Sequence, residues 1–264
     1  MTTTRRHFLA SAAAGAGMTL IPFRTRAEGH MASGTFETPG GTITVHPVNH
    51  ASIVFETPVG VIYADPVGEA ALYEGMPAPD LILITHEHGD HYNVDTLNAV
   101  GGDDTPIIAN PAVFAMLPEE MQGRATELAN GDSTEALGIT IEAIPAYNIT
   151  EGRLDYHPQG RDNGYVLGFE EYRVYISGDT EDTEEMRALE NIDLAFVSMN
   201  LPFTMDIESA ASGIDAFAPT YVYPYHYRGR DGGTQDPNEL QAMLTGETEV
   251  QLAPWYDGEI MPSS

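Results

Sequence analysis

Residues 81–91 read LILITHEHGDH, a short apolar run that leads directly into a cluster of histidines and acids. Consecutive apolar residues at positions 81–84 are typical of a strand that is buried on both faces. The segment from His86 to His91 then places three imidazoles and an aspartate on one short loop. Such crowding has little structural use unless a metal ion neutralises it, and the alternative is a solvated histidine-rich loop. Imidazole and carboxylate are ligands that zinc, iron and manganese accept.

The spacing within this loop suggests two ions. His86 and His88 can face one metal ion if the loop is extended, whereas Asp90 and His91 can turn toward a second. The sequence contains no cysteine. Any metal ion must therefore be held by histidine and carboxylate rather than by thiolate.

Around this loop, the apolar pattern predicts strands early in the chain and strands alternating with helices later. Strands are predicted over residues 42–48, 52–57, 61–64, 81–85, 106–109, 139–144, 165–169, 173–177, 194–199 and 220–225. Helices are predicted over residues 94–100, 111–117, 183–189, 207–217 and 237–244. This order favours an α/β (α+β) fold with two sheets packed face to face and helices outside. No internal repeat or linker divides residues 35–264.

The His-x-His-x-Asp-His pattern at positions 86–91 resembles the signature of the metallo-beta-lactamase superfamily. Residues 178–180, Gly-Asp-Thr, resemble the bridging aspartate motif of that superfamily, and His226 resembles its last histidine ligand. The resemblance extends across most of residues 28–264 and implies a four-layer αββα sandwich. It also implies ligands for a first ion, for a second ion and for a bridge between them. The implied ligands of the first ion are His86 and His88. Those of the second ion are Asp90, His91 and His226, and Asp179 is the implied bridge between the two ions.

Asp179 and His226, which lie far from the loop in sequence, each have a simpler interpretation when considered alone. Asp179 could cap a helix that follows it, and a lone His226 is more often a hydrogen-bonded core residue. Their order along the chain, each at the end of a predicted strand, favours a shared site.

The sequence departs from the superfamily between His91 and Asp179, where one more histidine usually joins the first ion. The strand that ends near residue 146 is followed here by Tyr147 and Asn148, and the histidine in this interval is His157. This pattern is similar to a lactonase-like branch of the superfamily. His157 could complete the ligands of the first ion, contact substrate or be an ordinary loop histidine.

Further positions resemble elements around the superfamily's pocket. Asp65 resembles a carboxylate that orients a metal-bound histidine, although an aspartate before proline is also a common turn residue. His50, Asn200 and residues 202–205 resemble elements near the pocket.

The predicted reaction is hydrolysis by a metal-activated water. Two ions about 3.5–4 Å apart lower the pKa of a water toward about 7 and stabilise the oxyanion. Asp90 is expected to position the water or carry its proton, and Tyr147 or His157 to stabilise developing charge. The expected substrate is an ester, lactone or phosphodiester in a small molecule, with two divalent ions, zinc by default and manganese or iron as alternatives.

Three other functions remain open. A true beta-lactamase is one, although the missing histidine near Tyr147 argues against it. A non-catalytic metal-binding or ligand-binding protein on the same fold is another, because fold does not fix function. Di-iron redox chemistry, known from a sister branch, normally needs an electron-carrying domain that this sequence does not show.

The net charge of the chain limits the kinds of partner that it can bind. All 11 basic residues are arginines, against 40 acidic residues, which gives a formal net charge of -29. Such a surface repels nucleic acid, so no nucleic-acid partner is expected. The sequence carries no pattern that specifies an oligomeric partner.

The first 27 residues resemble a twin-arginine export signal. Arg5 and Arg6 precede an apolar, alanine-rich run that extends to about Phe23, and small residues follow near Ala27. We therefore expect recognition by the twin-arginine export machinery, cleavage near residue 27 and a periplasmic location, with residues 28–264 as the hydrolase domain.

Overall fold

The computed structural model describes residues 34–256. Within that range, 14 strands form two seven-stranded sheets. The export signal predicted for residues 1–27 lies outside the described residues. No described helix has the length and apolar character needed to cross a membrane.

The first sheet contains the first seven strands in chain order. They are β1 (Gly34–Thr38), β2 (Gly41–Asn49), β3 (Ser52–Thr57), β4 (Gly60–Ala64), β5 (Leu81–Ile84), β6 (Ile107–Ala109) and β7 (Ala125–Glu127). The helices of this half are a 3₁₀ turn (Ala70–Tyr73), α1 (Val94–Val100), α2 (Pro111–Met116) and α3 (Glu119–Gln122).

The second sheet contains the remaining strands. They are β8 (Ser133–Ala136), β9 (Ile139–Ala146), β10 (Asp162–Phe169), β11 (Tyr172–Ile176), β12 (Leu194–Ser198), β13 (Tyr221–Tyr225) and β14 (Glu249–Val250). Helices α4 (Glu184–Arg187), α5 (Ile207–Phe217) and α6 (Leu240–Met243) belong to this half, and a 3₁₀ turn (Pro237–Glu239) precedes α6.

The two sheets share one topology that the sequence did not reveal as a repeat. In the first, β1 to β4 pair antiparallel and β4 to β7 pair parallel. In the second, β8 to β11 pair antiparallel and β11 to β14 pair parallel. Parallel strands end at the same edge of a sheet, so loops after β4, β5, β11 and β13 can meet there.

The core explains why the apolar strands fold as two layers. Alternate residues of β5 face opposite sides, with Leu81 and Leu83 in the cluster between the sheets and Ile82 and Ile84 in the cluster under α1 and α2. Phe55 of the first sheet meets Phe196 of the second edge to face, with ring centroids 5.3 Å apart. The predicted sandwich with helices outside is confirmed.

Most predicted elements are present, but two helices in the second half of the chain are shorter than predicted. The helix predicted over residues 183–189 spans only Glu184–Arg187, with Thr183 as its N-cap. The helix predicted over residues 237–244 divides into a 3₁₀ turn and α6. Strands β1, β7, β8 and β14 were not predicted, because they are short and β8 is largely exposed at a sheet edge.

Candidate metal centre

The loop after β5 gathers its three histidines around His86. His86 Nε2 lies 3.1 Å from His88 Nδ1, so these two rings converge. The backbone then turns, with the amides of His91 and Tyr92 both donating to the carbonyl of His88 at 2.9 Å. After this turn the ring of His91 lies beside that of His86, with centroids 3.9 Å apart, and Asp90 lies on the more open side of the loop.

His157 joins His86 and His88. The ligand atoms of these three histidines lie within 4.8 Å of one another. His157 Nδ1 lies 3.1 Å from Asp162 Oδ2, and Arg161 Nε donates to the other oxygen of Asp162 at 2.6 Å. Among the interpretations left open by the sequence, the structure favours a ligand position for His157 over that of an ordinary loop histidine.

Asp179 lies between the groups of histidines. Its Oδ1 is 3.4 Å from His91 Nε2, and its Oδ2 is 3.4 Å from His157 Nε2 and 3.5 Å from His226 Nε2. Gly178 before it has a φ of +61°, and a Cβ at that position would lie 2.8 Å from the carbonyl oxygen of Asn163. Only glycine permits this turn, which brings the aspartate into the cluster.

Asp90 and His226 meet on the more open side of the cluster. His226 Nε2 lies 3.3 Å from Asp90 Oδ2, and the Asp90 side chain is 48% exposed. His50 completes this group: its Nε2 is also 3.3 Å from Asp90 Oδ2, and its ring lies 3.8 Å from that of His226. The sequence placed His50 near the pocket but did not propose it as a ligand.

The outer nitrogens of the buried histidines bond to fixed acceptors. Asp65 Oδ2 accepts from the Thr85 hydroxyl at 2.6 Å and from His91 Nδ1 at 2.7 Å. Because the Thr85 proton is used, its oxygen accepts from His86 Nδ1 at 3.0 Å. A carboxylate only accepts, so His91 and His157 also donate through Nδ1. The Nε2 atoms of these three histidines consequently face the cluster, as metal ligands require.

Burial and neighbouring charges set the protonation states. Burial, together with the surrounding histidines, lowers the pKa of His86 well below 6.5 and also lowers the pKa of His88. Burial would also lower the pKa of His91, but the carboxylates of Asp179 and Asp65 outweigh it and raise the pKa well above 6.5. Burial would raise the pKa of Asp179, but His226 and His91 hold it well below its usual range.

These residues fit a metal ion by two observations. His91 Nε2 and Asp179 Oδ1 are buried polar atoms without a hydrogen-bond partner. Two ligands about 2.1 Å from one ion, at angles of about 90° to 109°, lie about 3.0 to 3.4 Å apart. The separations of 3.1–3.5 Å between the converging atoms match that spacing.

The hydroxyl of Tyr147 is bonded outside the cluster. It donates to Glu185 Oε2 on α4 at 2.9 Å. The expectation that Tyr147 stabilises developing charge stays a prediction, and this hydrogen bond, which turns the phenol toward a helix outside the sheet, favours a structural role instead. The Asn148 amide nitrogen donates to the carbonyls of Arg153 and Phe203 and helps to shape the loop that carries His157.

Asp162, Thr85 and Tyr256 were not identified from the sequence as supporting residues. Asp162 could have been found, because an acid five positions from His157 in a short loop is a plausible hydrogen-bond partner. Tyr256 carries no such local signal, and its hydroxyl lies 2.7 Å from His50 Nδ1 only because distant segments meet.

Comparison with known proteins agrees with the fold and the candidate metal centre described above. A family model described as a beta-lactamase superfamily domain matches residues 43–226, a span that ends on the last candidate ligand. A UPF0173 metal-dependent hydrolase from Thermococcus onnurineus is 31% identical over 187 residues, which cover 69% of this chain and 81% of the relative.

Two solved structures resemble this fold closely. A protein from Parabacteroides distasonis, assigned to the metal-dependent hydrolases, is 38% identical with a TM-score of 0.73, covering 84% of this chain and 98% of that one. A metallo hydrolase from Ignicoccus hospitalis, at 22% identity and a TM-score of 0.67, covers 80% of this chain and 94% of its own, and shows likeness of fold alone. The chain belongs to the beta-lactamase superfamily and is one of its metal-dependent hydrolases.

Proposed function

We propose that this hydrolase holds two divalent ions and cleaves an ester, lactone or phosphodiester bond in a small molecule. The observation that carries the proposal is the position of Asp179, whose two oxygens face different histidines, His91 and His157, each at 3.4 Å. A buried carboxylate with candidate ligands on both sides suits a bridge between two ions. Zinc is the default ion for these nitrogen and oxygen ligands, with manganese or iron as alternatives.

The ligands divide between two positions. The first ion would be held by His86, His88 and His157, whose ligand atoms converge. The second would be held by Asp90, His91 and His226. Of these, His91 lies 3.4 Å from Asp179 Oδ1 and His226 lies 3.5 Å from Asp179 Oδ2. When bound, two such ions lower the pKa of a water and stabilise the negative charge that develops during hydrolysis.

Asp90 is the residue best placed to position the attacking water. Burial would raise the pKa of Asp90, but the neighbouring imidazoles of His226 and His50 lower it well below its usual range. The side chain is therefore a carboxylate at neutral pH. A carboxylate with so low a pKa is a weak base, so its role would be to accept a hydrogen bond from the attacking water and hold that water in position.

The loop that carries His157 exposes large apolar side chains. They are Ile149, Leu154 and Tyr156. The Tyr156 ring contacts that of Phe203, with centroids 5.2 Å apart. These side chains support a substrate with an apolar portion beside its hydrolysable bond.

The position of His157 returns beta-lactam hydrolysis to the candidate reactions. The sequence shows no histidine near Tyr147, which argues against a beta-lactamase, but His157 lies beside His86 and His88 and supplies a third histidine there. A beta-lactam therefore belongs among the candidate substrates, alongside the lactone favoured by the sequence pattern.

The test combines metal analysis with hydrolysis. Protein purified without chelator is analysed for metal content, then assayed on a lactone, an aryl ester, a phosphodiester and a beta-lactam before and after chelation. We expect about two ions per chain and turnover that is lost on chelation and restored by Zn²⁺. The His86→Ala variant should lose metal and activity, whereas His46→Gln, which alters a buried histidine bonded to Glu56, should retain both. Two ions without turnover on any substrate would favour a binding protein, and a chain without metal would refute the proposal.

A further inference from the structure

The geometry points to His50 as a ligand of the second ion, an inference that rests on the two-ion site proposed above. The ligand atoms of His50, Asp90 and His226 all lie within 4.8 Å of one another. His50 and His226 approach the same oxygen of Asp90, each through Nε2 and each at 3.3 Å. The three side chains therefore converge on one point.

Distances separate these contacts from ordinary hydrogen bonds. Where a histidine of this chain bonds directly to a carboxylate, the separation is 2.7 Å for His91 with Asp65, 2.8 Å for His46 with Glu56 and 3.1 Å for His157 with Asp162. Charge-assisted hydrogen bonds typically measure about 2.7–2.9 Å. The 3.3 Å from His50 to Asp90 is longer and matches two ligands that share an ion, which lie about 3.0–3.4 Å apart.

The backbone aims both imidazoles at this point. His50 has a φ of +53° and His226 a φ of +50°, a left-handed conformation that is uncommon for residues other than glycine. The His226 amide donates to the His50 carbonyl at 3.3 Å, which ties the turn between β2 and β3 to the end of β13. The two rings are thereby held 3.8 Å apart.

The end of the described chain fixes His50 from its outer side. The His50 amide donates to the carbonyl of Trp255 at 3.1 Å, and Trp255 is fully buried. The Tyr256 hydroxyl lies 2.7 Å from His50 Nδ1, and its oxygen also accepts from the Arg228 amide at 3.3 Å. Tyr256 thus orients the imidazole as Asp65 orients His91, and leaves Nε2 directed at Asp90.

The donor set identifies the class of ligand. Two imidazoles and a carboxylate suit Zn²⁺ and also Fe²⁺. The side chains of His50 and Asp90 are 19% and 48% exposed, so this ion lies toward solvent, where substrate enters.

The test measures Zn²⁺ affinity rather than activity alone. Apo-protein is titrated with Zn²⁺ against a competing chromophoric chelator, and both dissociation constants are fitted for wild type, His50→Gln and Tyr256→Phe. Glutamine can still donate a hydrogen bond to Asp90 but is a poor metal ligand, so His50→Gln separates ligation from hydrogen bonding. We expect one dissociation constant to rise at least about 100-fold, and Tyr256→Phe to raise the same constant about 10-fold, while the other stays within about threefold.

Controls make each outcome decisive. His46→Gln alters a histidine that bonds to Glu56 and lies on β2, the strand that precedes His50, and should leave both constants unchanged. X-ray absorption of the two-Co²⁺ protein should count one imidazole fewer in His50→Gln. If wild type binds two ions and His50→Gln binds both as tightly, the inference is wrong while the two-ion hydrolase stands. If wild type binds fewer than two ions, the proposed function fails first. If His50→Gln does not fold, as judged by circular dichroism, an unchanged Zn²⁺ affinity in Tyr256→Phe would overturn the inference.

Discussion

The carboxylate of Asp65 lies 2.7 Å from His91 Nδ1, and the two side chains are 1% and 0% exposed. Asp65 also accepts hydrogen bonds from the amide and the hydroxyl of Thr85, at 2.7 and 2.6 Å. Asn in place of Asp65 removes the charge and leaves one of these donors unpaired. We expect Asp65→Asn to lower Zn²⁺ affinity about 10- to 100-fold and to lower the free energy of unfolding of the apo-protein by about 1–3 kcal/mol.

Zn²⁺ titration and urea unfolding in chelator measure these two effects. Asp80→Asn is the matched control, because the Asp80 carboxylate accepts from the amide of Val61 at an exposed position. It should leave Zn²⁺ affinity unchanged. Equal affinities in Asp65→Asn and wild type would show that Asp65 does not orient His91 for a metal ion.

His157→Ala should remove the first ion. The ring of His157 lies 5.0 Å from that of His86 and 4.8 Å from that of His88, so its loss leaves two ligands besides Asp179. We expect metal content after dialysis to fall by about one ion per chain and hydrolysis to fall by at least about 100-fold. Elemental analysis checks this. If the metal content is unchanged, Asn148 or a water occupies that ligand position.

Metal binding should release a proton from His91. The pKa of His91 is raised well above 6.5, so at pH 7 its Nε2 carries a proton before the ion binds. The pKa values of His86 and His88 are lowered, so these two rings are already neutral and release none. Zn²⁺ affinity should rise with pH until the pH exceeds the raised pKa of His91.

Calorimetry of Zn²⁺ binding at pH 7, in two buffers with different ionisation enthalpies, counts the protons released. We expect at least one. A heat of binding that does not depend on the buffer would contradict the protonation state inferred for His91.

Tyr147→Phe separates the sequence-based expectation from the structure. Because the Tyr147 hydroxyl donates to Glu185 on α4, we expect catalytic efficiency to stay within about twofold of wild type. The free energy of unfolding should fall by about 0.5–1.5 kcal/mol through loss of the hydrogen bond. Turnover slowed by about two orders of magnitude, without loss of metal, would restore a role for this phenol in stabilising developing charge.

The export signal is tested outside the described residues. Replacing both Arg5 and Arg6 by lysine should prevent recognition by the twin-arginine machinery and leave the unprocessed chain in the cytoplasm. Cell fractionation with immunoblotting checks this, and replacing Arg24 and Arg26 by lysine is the control. Wild-type protein found only unprocessed in the cytoplasm would refute the predicted periplasmic location.

The sequence by itself determined the two-sheet architecture and the central loop, because both rest on local patterns. The apolar run at residues 81–84 and the turn signals around it indicate a buried strand, and the histidines that follow it directly mark the loop as a metal-binding candidate. The weak alternation and short length of β7 and β14 gave no comparable signal.

Only the tertiary structure decided which distant side chains join the loop. The sequence left His157 open between three roles. The Asn148 amide donates to the His157 carbonyl, and this bond, together with Asp162, brings the imidazole to His86. His50 reaches Asp90 because the carbonyl of Trp255 and the end of β13 hold its turn in place.

Tyr147 shows the same limit from the other side. It follows a strand that was predicted to lead to the site, yet its hydroxyl bonds to α4. The direction of a side chain at the end of a strand depends on the register of that strand and on the remote segment that packs beside it. Here that segment is α4, and the residues around Tyr147 do not specify it.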